Sequence, residues 1–448
     1  MDLMQRIKAM DPQEIAQRPE VRQLWDKGLL WSLAHRRSHK YPLGVPMPQD
    51  KFFEHDCKEP VPLNEVELAL LCWASAGTNG LVLNDLSFTQ GATTHPFFEG
   101  RVYPSPCNVW YTHLVFNHDD GIFLYRPHVP TRVVEIETCE DMAVIFRAFK
   151  EGVEQISKEP IRLTGESPAT KPITAPFVFK PGVTTFFPIV DITYEMLNLY
   201  LLMVDDEKMR IVDDDVKKPA GIKRWIDSGY LTGHTLALGD FEPRLLAAIY
   251  GTAAYMQQNL QLCAAILGLG GYPYSGVYSI ILMGGTPAMR GLGFRFASDK
   301  RGYPYPVGLN GLIEAHMPPY MTMDEAVEDV WNSKYGPGCG RYSPDVKEGD
   351  RVMYRGFDPD ARALHRPFQD PESYTKAARV QSRESVEVSK AIANYIYDTY
   401  GRFPKTVDPI FCPTQVQVSH VDVDLYDKYY VSGTLWNEHR EHLKVWHG

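Results

Sequence analysis

Residues 245–267 carry apolar side chains at nearly every position, broken mainly by Gln257, Gln258, Asn259 and Gln261. A helix apolar on most of its sides must be buried on most of them, so the rest of the chain has to wrap it. The amides in its middle then need buried hydrogen-bond partners, because an unpaired polar group in an interior is costly. The stretch runs on as Leu267-Gly268-Leu269-Gly270-Gly271-Tyr272-Pro273-Tyr274-Ser275-Gly276. Glycine lets a backbone leave a helix and approach a neighbour closely, since no Cβ intervenes. The sequence therefore predicts a buried helix that opens into a glycine-rich turn able to lie against a flat ligand.

Around that helix the pattern mixes helical and strand-like segments. Residues 1–35 read as helical with a break at Pro19, and residues 63–76 as an amphipathic helix between an Asn64 cap and Gly77. Residues 110–116 and 122–125 alternate as a hairpin about the turn residues 117–121. Helices are expected over 141–154 and 194–203, strand-like structure over 172–190, a strand over 277–283, and a solvated charged surface over 205–218. Beyond Phe296 the composition shifts to Pro, Gly and Tyr, with helices expected at 323–331 and 385–400 and a strand at 414–423. This order predicts an α+β protein, divided into residues 1–300 and a C-terminal extension of residues 301–448 packed on them.

The charge balance narrows the partners. A net charge of −10 and a pI near 5.8 argue against nucleic acid or an anionic membrane. The N-terminus has no apolar signal core, which makes a cytoplasmic location the expectation. Seven cysteines without paired spacing argue against a disulfide framework or a zinc ribbon. The pairs His35/His39 and His439/His442 have metal-ligand spacing, but the first brackets two arginines, which would repel a divalent ion, and the second lies in the C-terminal tail, so no metal is expected. No Gly-x-Gly-x-x-Gly follows a strand, and neither a Gly-x-Ser-x-Gly elbow nor a P-loop occurs.

Two further segments carry chemistry. His35-Arg36-Arg37-Ser38-His39-Lys40-Tyr41 gathers three cations and a hydroxyl, a set that suits a dianionic phosphate. Its plain alternative is a solvated basic patch. Pro104-Ser105-Pro106-Cys107-Asn108 is a proline-stiffened loop offering a hydroxyl and an amide, or an ordinary turn.

Taken in order, these two segments and Leu267-Gly268 … Pro273-Tyr274-Ser275-Gly276 resemble the FMN-dependent nitroreductase superfamily. The wide separation of the first two, with the runs at 68–77 and 121–125, is similar to its branch that oxidises thiazolines and oxazolines. The resemblance implies a nitroreductase-like fold, a mostly antiparallel central sheet flanked by helices, and a homodimer with the flavin between subunits. It implies FMN held by Arg36, Arg37, Ser38 and Lys40, by Pro104, Ser105 and Asn108, and by Arg295, for which Arg290 is a competitor. Ser275 and Gly276 would lie beside the flavin's central ring, and Tyr272 and Tyr274 would form the catalytic, substrate-facing side. Ser275 stands where glutamate is frequent in plain nitroreductases, and the Lys–Tyr base of the azoline branch has no evident place in the sequence. The implied activity is an FMN-dependent oxidoreductase transferring hydride at flavin N5 to or from a small organic or peptide-derived substrate, with NAD(P)H as candidate donor. The alternatives are an azoline-type dehydrogenase and a non-catalytic flavin-binding protein.

Overall fold

The structure is a computed structural model and describes residues 1–46, 55–81, 99–105, 112–128, 130, 132–163, 177–287, 289–335, 369 and 381–448. Asn108 lies outside the described residues, as do Pro106 and Cys107.

The apolar stretch forms the helix Leu238–Leu267, the longest among the described residues. It stops at Gly268, whose φ of 82° is left-handed, and the Leu269 N–H reaches back to the Ala264 carbonyl at 2.9 Å. Its interior amides are paired as the sequence requires. Gln257 donates to the Thr414 carbonyl at 3.0 Å and accepts from the Thr414 hydroxyl at 2.7 Å. Asn259 donates to the Val102 carbonyl at 2.8 Å, while Gln258 is solvent-exposed.

A central antiparallel sheet packs beside this helix. Its main path runs Gly270–Tyr274, Gln415–Ser419, Val183–Asp191, Thr112–His118, Gly121–Tyr125, Val153–Ser157, with Ile410–Phe411 also paired to Val183–Asp191. Alternation divides the side chains between two cores. Leu114, Phe116, Phe186, Val416 and Val418 meet Met256 and Leu260 of the long helix and the apolar residues of Glu65–Ala76 and Ala143–Gly152. The opposite face carries Val115, Phe187, Ile189, Tyr272 and Tyr274, and packs on Thr193–Asp205 and Arg383–Tyr400. Local signals explain the helix ends. Asn64 and Glu67 form a capping box at Glu65–Ala76, and Ser382 caps Arg383–Tyr400, which ends at the left-handed Gly401. Helices around mostly antiparallel sheets make the chain α+β; one parallel pair, Arg210–Asp213 with Thr235–Ala237, lies in a small separate sheet. No helix among the described residues is long and apolar enough to cross a membrane.

Three local expectations change. The predicted glycine-rich turn is instead the edge strand Gly270–Tyr274, paired from Gly270↔Ser419 to Tyr274↔Gln415. Pro273, which has no N–H to give a ladder, is tolerated there because the strand lies at an edge. Residues 277–283 do not form a strand; Ser279–Gly284 is a helix ending at Gly285, φ 82°. A short apolar run does not reveal its own period, and here Leu282 and Met283 are buried consecutively rather than alternately. The charged segment 205–218 contains the strand Arg210–Asp213, and Asp213 is buried. Lys405 at 3.0 Å, with the Tyr395 and Tyr400 hydroxyls at 3.0 and 2.6 Å, makes that burial possible from far along the chain. The C-terminal third also enters the sheet itself: Gln415–Ser419 lies between Gly270–Tyr274 and Val183–Asp191.

Candidate functional site

The basic segment emerges from the helix Leu29–His35 and runs along the sheet edge. It is pinned on both sides. Asp422 N–H donates to the Tyr41 carbonyl at 3.1 Å, and Leu43 N–H donates to the His420 carbonyl at 2.9 Å. His39 is buried, its Nε2 2.9 Å from the Thr434 carbonyl, and burial pushes its imidazole below the usual range. A Cβ at Gly270 would lie 3.0 Å from the His39 carbonyl oxygen, and one at Gly268 2.3 Å from that of Glu438. The close approach anticipated for these glycines is therefore made by the protein's own segments.

The cations differ in what they touch. Arg37 turns back on its helix, donating to the Ala34 and Arg36 carbonyls at 2.9 and 3.0 Å, and its guanidinium lies 5.4 Å from the Trp436 ring. Arg36 reaches Gln261 of the long helix at 3.5 Å. Lys40 is exposed, and its Nζ stands 5.4 Å from the centre of the Tyr272 ring. Ser38 is exposed beside them. None of the three cations has a carboxylate partner among the described residues, in a chain of net charge −10.

Lys40 thus marks the rim of a buried polar row. The register Tyr272↔Gln417↔Thr185↔Asn117 crosses four strands, so these side chains share one sheet face, and Tyr274 and Gln415 follow two residues on. Tyr272 and Tyr274 have ring centroids 5.6 Å apart. The Tyr272 hydroxyl and the Oε1 atoms of Gln415 and Gln417 are buried without a hydrogen-bond partner among the described residues, while the Tyr274 hydroxyl and Thr185 interact with each other without a well-aligned bond. Burial pushes both tyrosines well above the usual phenol range, so at neutral pH they are protonated donors. An interior normally leaves few such atoms unpaired. Three on one face, beside the Tyr274–Thr185 pair, are groups that ordered water or the polar edge of a ligand would satisfy.

The remaining predicted residues are placed apart from this row. Pro104 is exposed and Ser105 half-buried on a segment tied to Asn259. Asn259 and Gln261 lie two residues apart on one helix and so point to different sides of it, which separates that segment from Arg36. Ser275 is exposed and Gly276 buried just past the edge strand, and Gly276 is not among the left-handed glycines. Arg295 belongs to a different, three-stranded sheet, with its guanidinium 6.0 Å from the Tyr320 ring. The competitor Arg290 is paired with Glu159 at 2.6 Å. Thr185, Gln415 and Gln417 were not singled out by sequence. The available signal was Gln415-Val-Gln417-Val, which puts two amides on one face of a strand whose other face is apolar.

No family model matches the chain, and no curated protein matches it. Among solved structures, one described as a putative nitroreductase from Ralstonia eutropha JMP134 aligns over 59% of this chain and 78% of its own. The identity is 14% and the TM-score 0.29, a likeness too slight to define the fold.

Proposed function

We propose that this chain is an FMN-dependent oxidoreductase whose cofactor phosphate is held by the Arg36–Lys40 segment and whose ring lies toward Tyr272. One observation carries the reading: Lys40, a cation without a carboxylate partner among the described residues, borders a buried row of polar atoms that includes the unpaired Tyr272 hydroxyl. Arg36 and Lys40 supply charge for a phosphate, and Ser38 a hydroxyl. The Tyr272 hydroxyl, Thr185 and Gln417 supply donors and acceptors for the edge of a flat ring. Bound FMN would supply the two-electron redox chemistry. The side chains here bind, orient and donate protons; neither tyrosine is a base near neutral pH, because burial holds its proton on.

A homodimer belongs to the same reading. The segment at Ser105 stands on another side of the long helix from Arg36, so a second subunit is needed to unite the two over one ligand. Leu29, Leu30 and Leu33, 65%, 81% and 47% exposed, present an apolar face just ahead of Arg36 that a partner would cover. Light scattering on the holoprotein at micromolar concentration should give a dimer, and a monomer would remove this part of the reading. Azoline oxidation is a second reading that rests on the motif layout alone, since a Tyr272 that keeps its proton near neutral pH is no base. Turnover of an azoline-containing peptide, against a nitroarene with NAD(P)H, separates the two.

The test of the main reading is the cofactor itself. Protein purified and heat-denatured should release FMN in stoichiometric amount, identified by chromatography. Release of FAD, or failure to take up any flavin on reconstitution, overturns the assignment.

A further inference from the structure

Away from the basic segment's own side chains, four potential ligands converge at the last turns of the chain. Glu67 lies in the first turn of Glu65–Ala76, His420 follows the strand Gln415–Ser419, and His442 and His447 project from the terminal helix Asn437–His447. One ligand atom from each lies within 4.8 Å of every other. Glu67, His420 and His442 are buried, while the His447 side chain is 21% exposed and opens the cluster to solvent.

The hydrogen bonds orient these groups as a metal site would. His442 Nδ1 lies 2.6 Å from the Leu267 carbonyl oxygen, which can only accept, so this nitrogen carries the hydrogen. Its Nε2 is left facing Glu67 Oε1 at 2.5 Å. A lone pair and a carboxylate oxygen at that separation need a proton or a cation between them. An imidazole that gives one ring N–H to a backbone carbonyl and turns the other nitrogen inward is the usual arrangement of a metal-bound histidine. Glu67 Oε2 accepts the Asn64 N–H at 2.6 Å and faces His447 Nε2 at 3.1 Å. His420 is the independent observation. It is 2% exposed, its Nδ1 is 4.0 Å from Glu67 Oε1, and among the described residues neither ring nitrogen makes a well-aligned hydrogen bond, the backbone at Pro62 being the one polar group that interacts with the ring from outside the cluster. A buried imidazole that is weakly held by one backbone group and aimed into a cluster of two more imidazoles and a carboxylate is an expensive arrangement for packing alone.

We propose that Glu67, His420, His442 and His447 bind one divalent first-row transition ion, with Zn²⁺ as occupant. Three imidazoles and one carboxylate are a donor set for zinc and its neighbours rather than for Mg²⁺ or Ca²⁺, which take mainly oxygen ligands. Metal–ligand distances of about 2.0–2.2 Å place tetrahedral ligands about 3.4 Å apart. The pairs at 2.5, 3.1 and 4.0 Å bracket that value, so each needs to change by less than about 1 Å. With four protein ligands the ion would be structural. It would fasten the terminal helix to the start of Glu65–Ala76 and to the end of a central strand.

The full-length protein, stripped with a chelator, is titrated with Zn²⁺ against a competing chromophoric chelator, and with Co²⁺ by visible spectroscopy. The expected result is one tight ion per chain, intense tetrahedral Co²⁺ bands, and a higher melting temperature when Zn²⁺ is restored. His447→Ala, at the exposed end of the chain, removes a ligand without disturbing the core. His420→Ala removes a ligand whose interaction outside the cluster is a weak one with the backbone at Pro62. Each should weaken Zn²⁺ binding at least about a hundredfold, the upper range for loss of an outer-shell partner. His35→Ala, outside the cluster, should leave binding unchanged. Absence of stoichiometric Zn²⁺ binding, or wild-type affinity in both His420→Ala and His447→Ala, overturns the proposal and leaves Glu67 and its histidines as a hydrogen-bonded ion-pair cluster.

Discussion

Replacing Tyr272 by phenylalanine should have opposite effects on the empty protein and on the cofactor complex. In the chain as described, the Tyr272 hydroxyl is buried without a partner, and the ring packs between Lys40 and Tyr274. Phenylalanine keeps the ring, so its contact with the Lys40 ammonium and its packing on Tyr274 survive. Only the stranded hydroxyl is lost, and an unsatisfied buried polar group costs about 1–3 kcal/mol. Flavin-free Tyr272→Phe should therefore be more stable than flavin-free wild type by up to about 1–3 kcal/mol. If the hydroxyl meets the ligand when FMN is bound, the same change should weaken FMN by about 0.5–1.5 kcal/mol, the net worth of a neutral hydrogen bond. Urea unfolding of apoprotein, read as a midpoint shift at constant m, gives the first quantity, and fluorescence titration with FMN the second. A Tyr272→Phe apoprotein destabilised by 1 kcal/mol or more, about the value of a made hydrogen bond, would show that the hydroxyl is already satisfied. The buried row would then be ordinary core. Tyr274→Phe should gain less, because its hydroxyl interacts with Thr185, and the double variant should be non-additive because the rings are neighbours.

Arg36→Ala should weaken FMN binding by about 1–3 kcal/mol, as expected for a charge-assisted hydrogen bond, and an effect below about 0.5 kcal/mol would mark an exposed patch instead. Gly268→Ala combines a left-handed φ with a Cβ 2.3 Å from the Glu438 carbonyl oxygen. It should cost more than the roughly 1–2 kcal/mol of the dihedral alone and should loosen the terminal helix, seen as faster hydrogen exchange over 437–447. Burial, with the Arg126 guanidinium adding to it, pushes His113 from 6.5 down to about 4. Between those values the unfolded chain binds the proton that the folded chain does not, so stability rises with pH and falls on acidification. Urea midpoints should therefore drop from pH 6.5 to 4 by up to about 1.4 kcal/mol per pH unit from this group, and His113→Asn should flatten that slope.

What the sequence made legible was periodic or punctuated. The long helix, its capped neighbour from Asn64, the hairpin about Gly121 and the helix ending at Gly401 all announce themselves by apolar spacing with an adjacent cap or turn residue. The amides at Gln257 and Asn259 announced that partners must exist, but not that Thr414 and Val102 would be those partners. Contacts made across hundreds of residues leave no local trace. The edge strand Gly270–Tyr274 looks like a turn until Gln415–Ser419 supplies its ladder, and Asp213 looks solvated until Lys405 arrives. The site followed the same rule. Lys40 and Tyr272 belong to separate motifs and lie side by side in the structure, whereas Thr185, Gln415 and Gln417 acquire meaning only through strand register. The zinc-type cluster was out of reach because Glu67 and His442 are separated by most of the chain.

The central claim is that a phosphate-bearing flavin sits at the Arg36–Lys40 segment, and a comparison of FMN with riboflavin tests it most directly. The two ligands share the ring and differ in the phosphate alone. Two charge-assisted contacts at about 1.5 kcal/mol each predict that apoprotein binds FMN at least about 100-fold more tightly than riboflavin, with the preference reduced in Arg36→Ala and Lys40→Ala. Equal affinity for the two ligands, or binding of neither, would contradict the account.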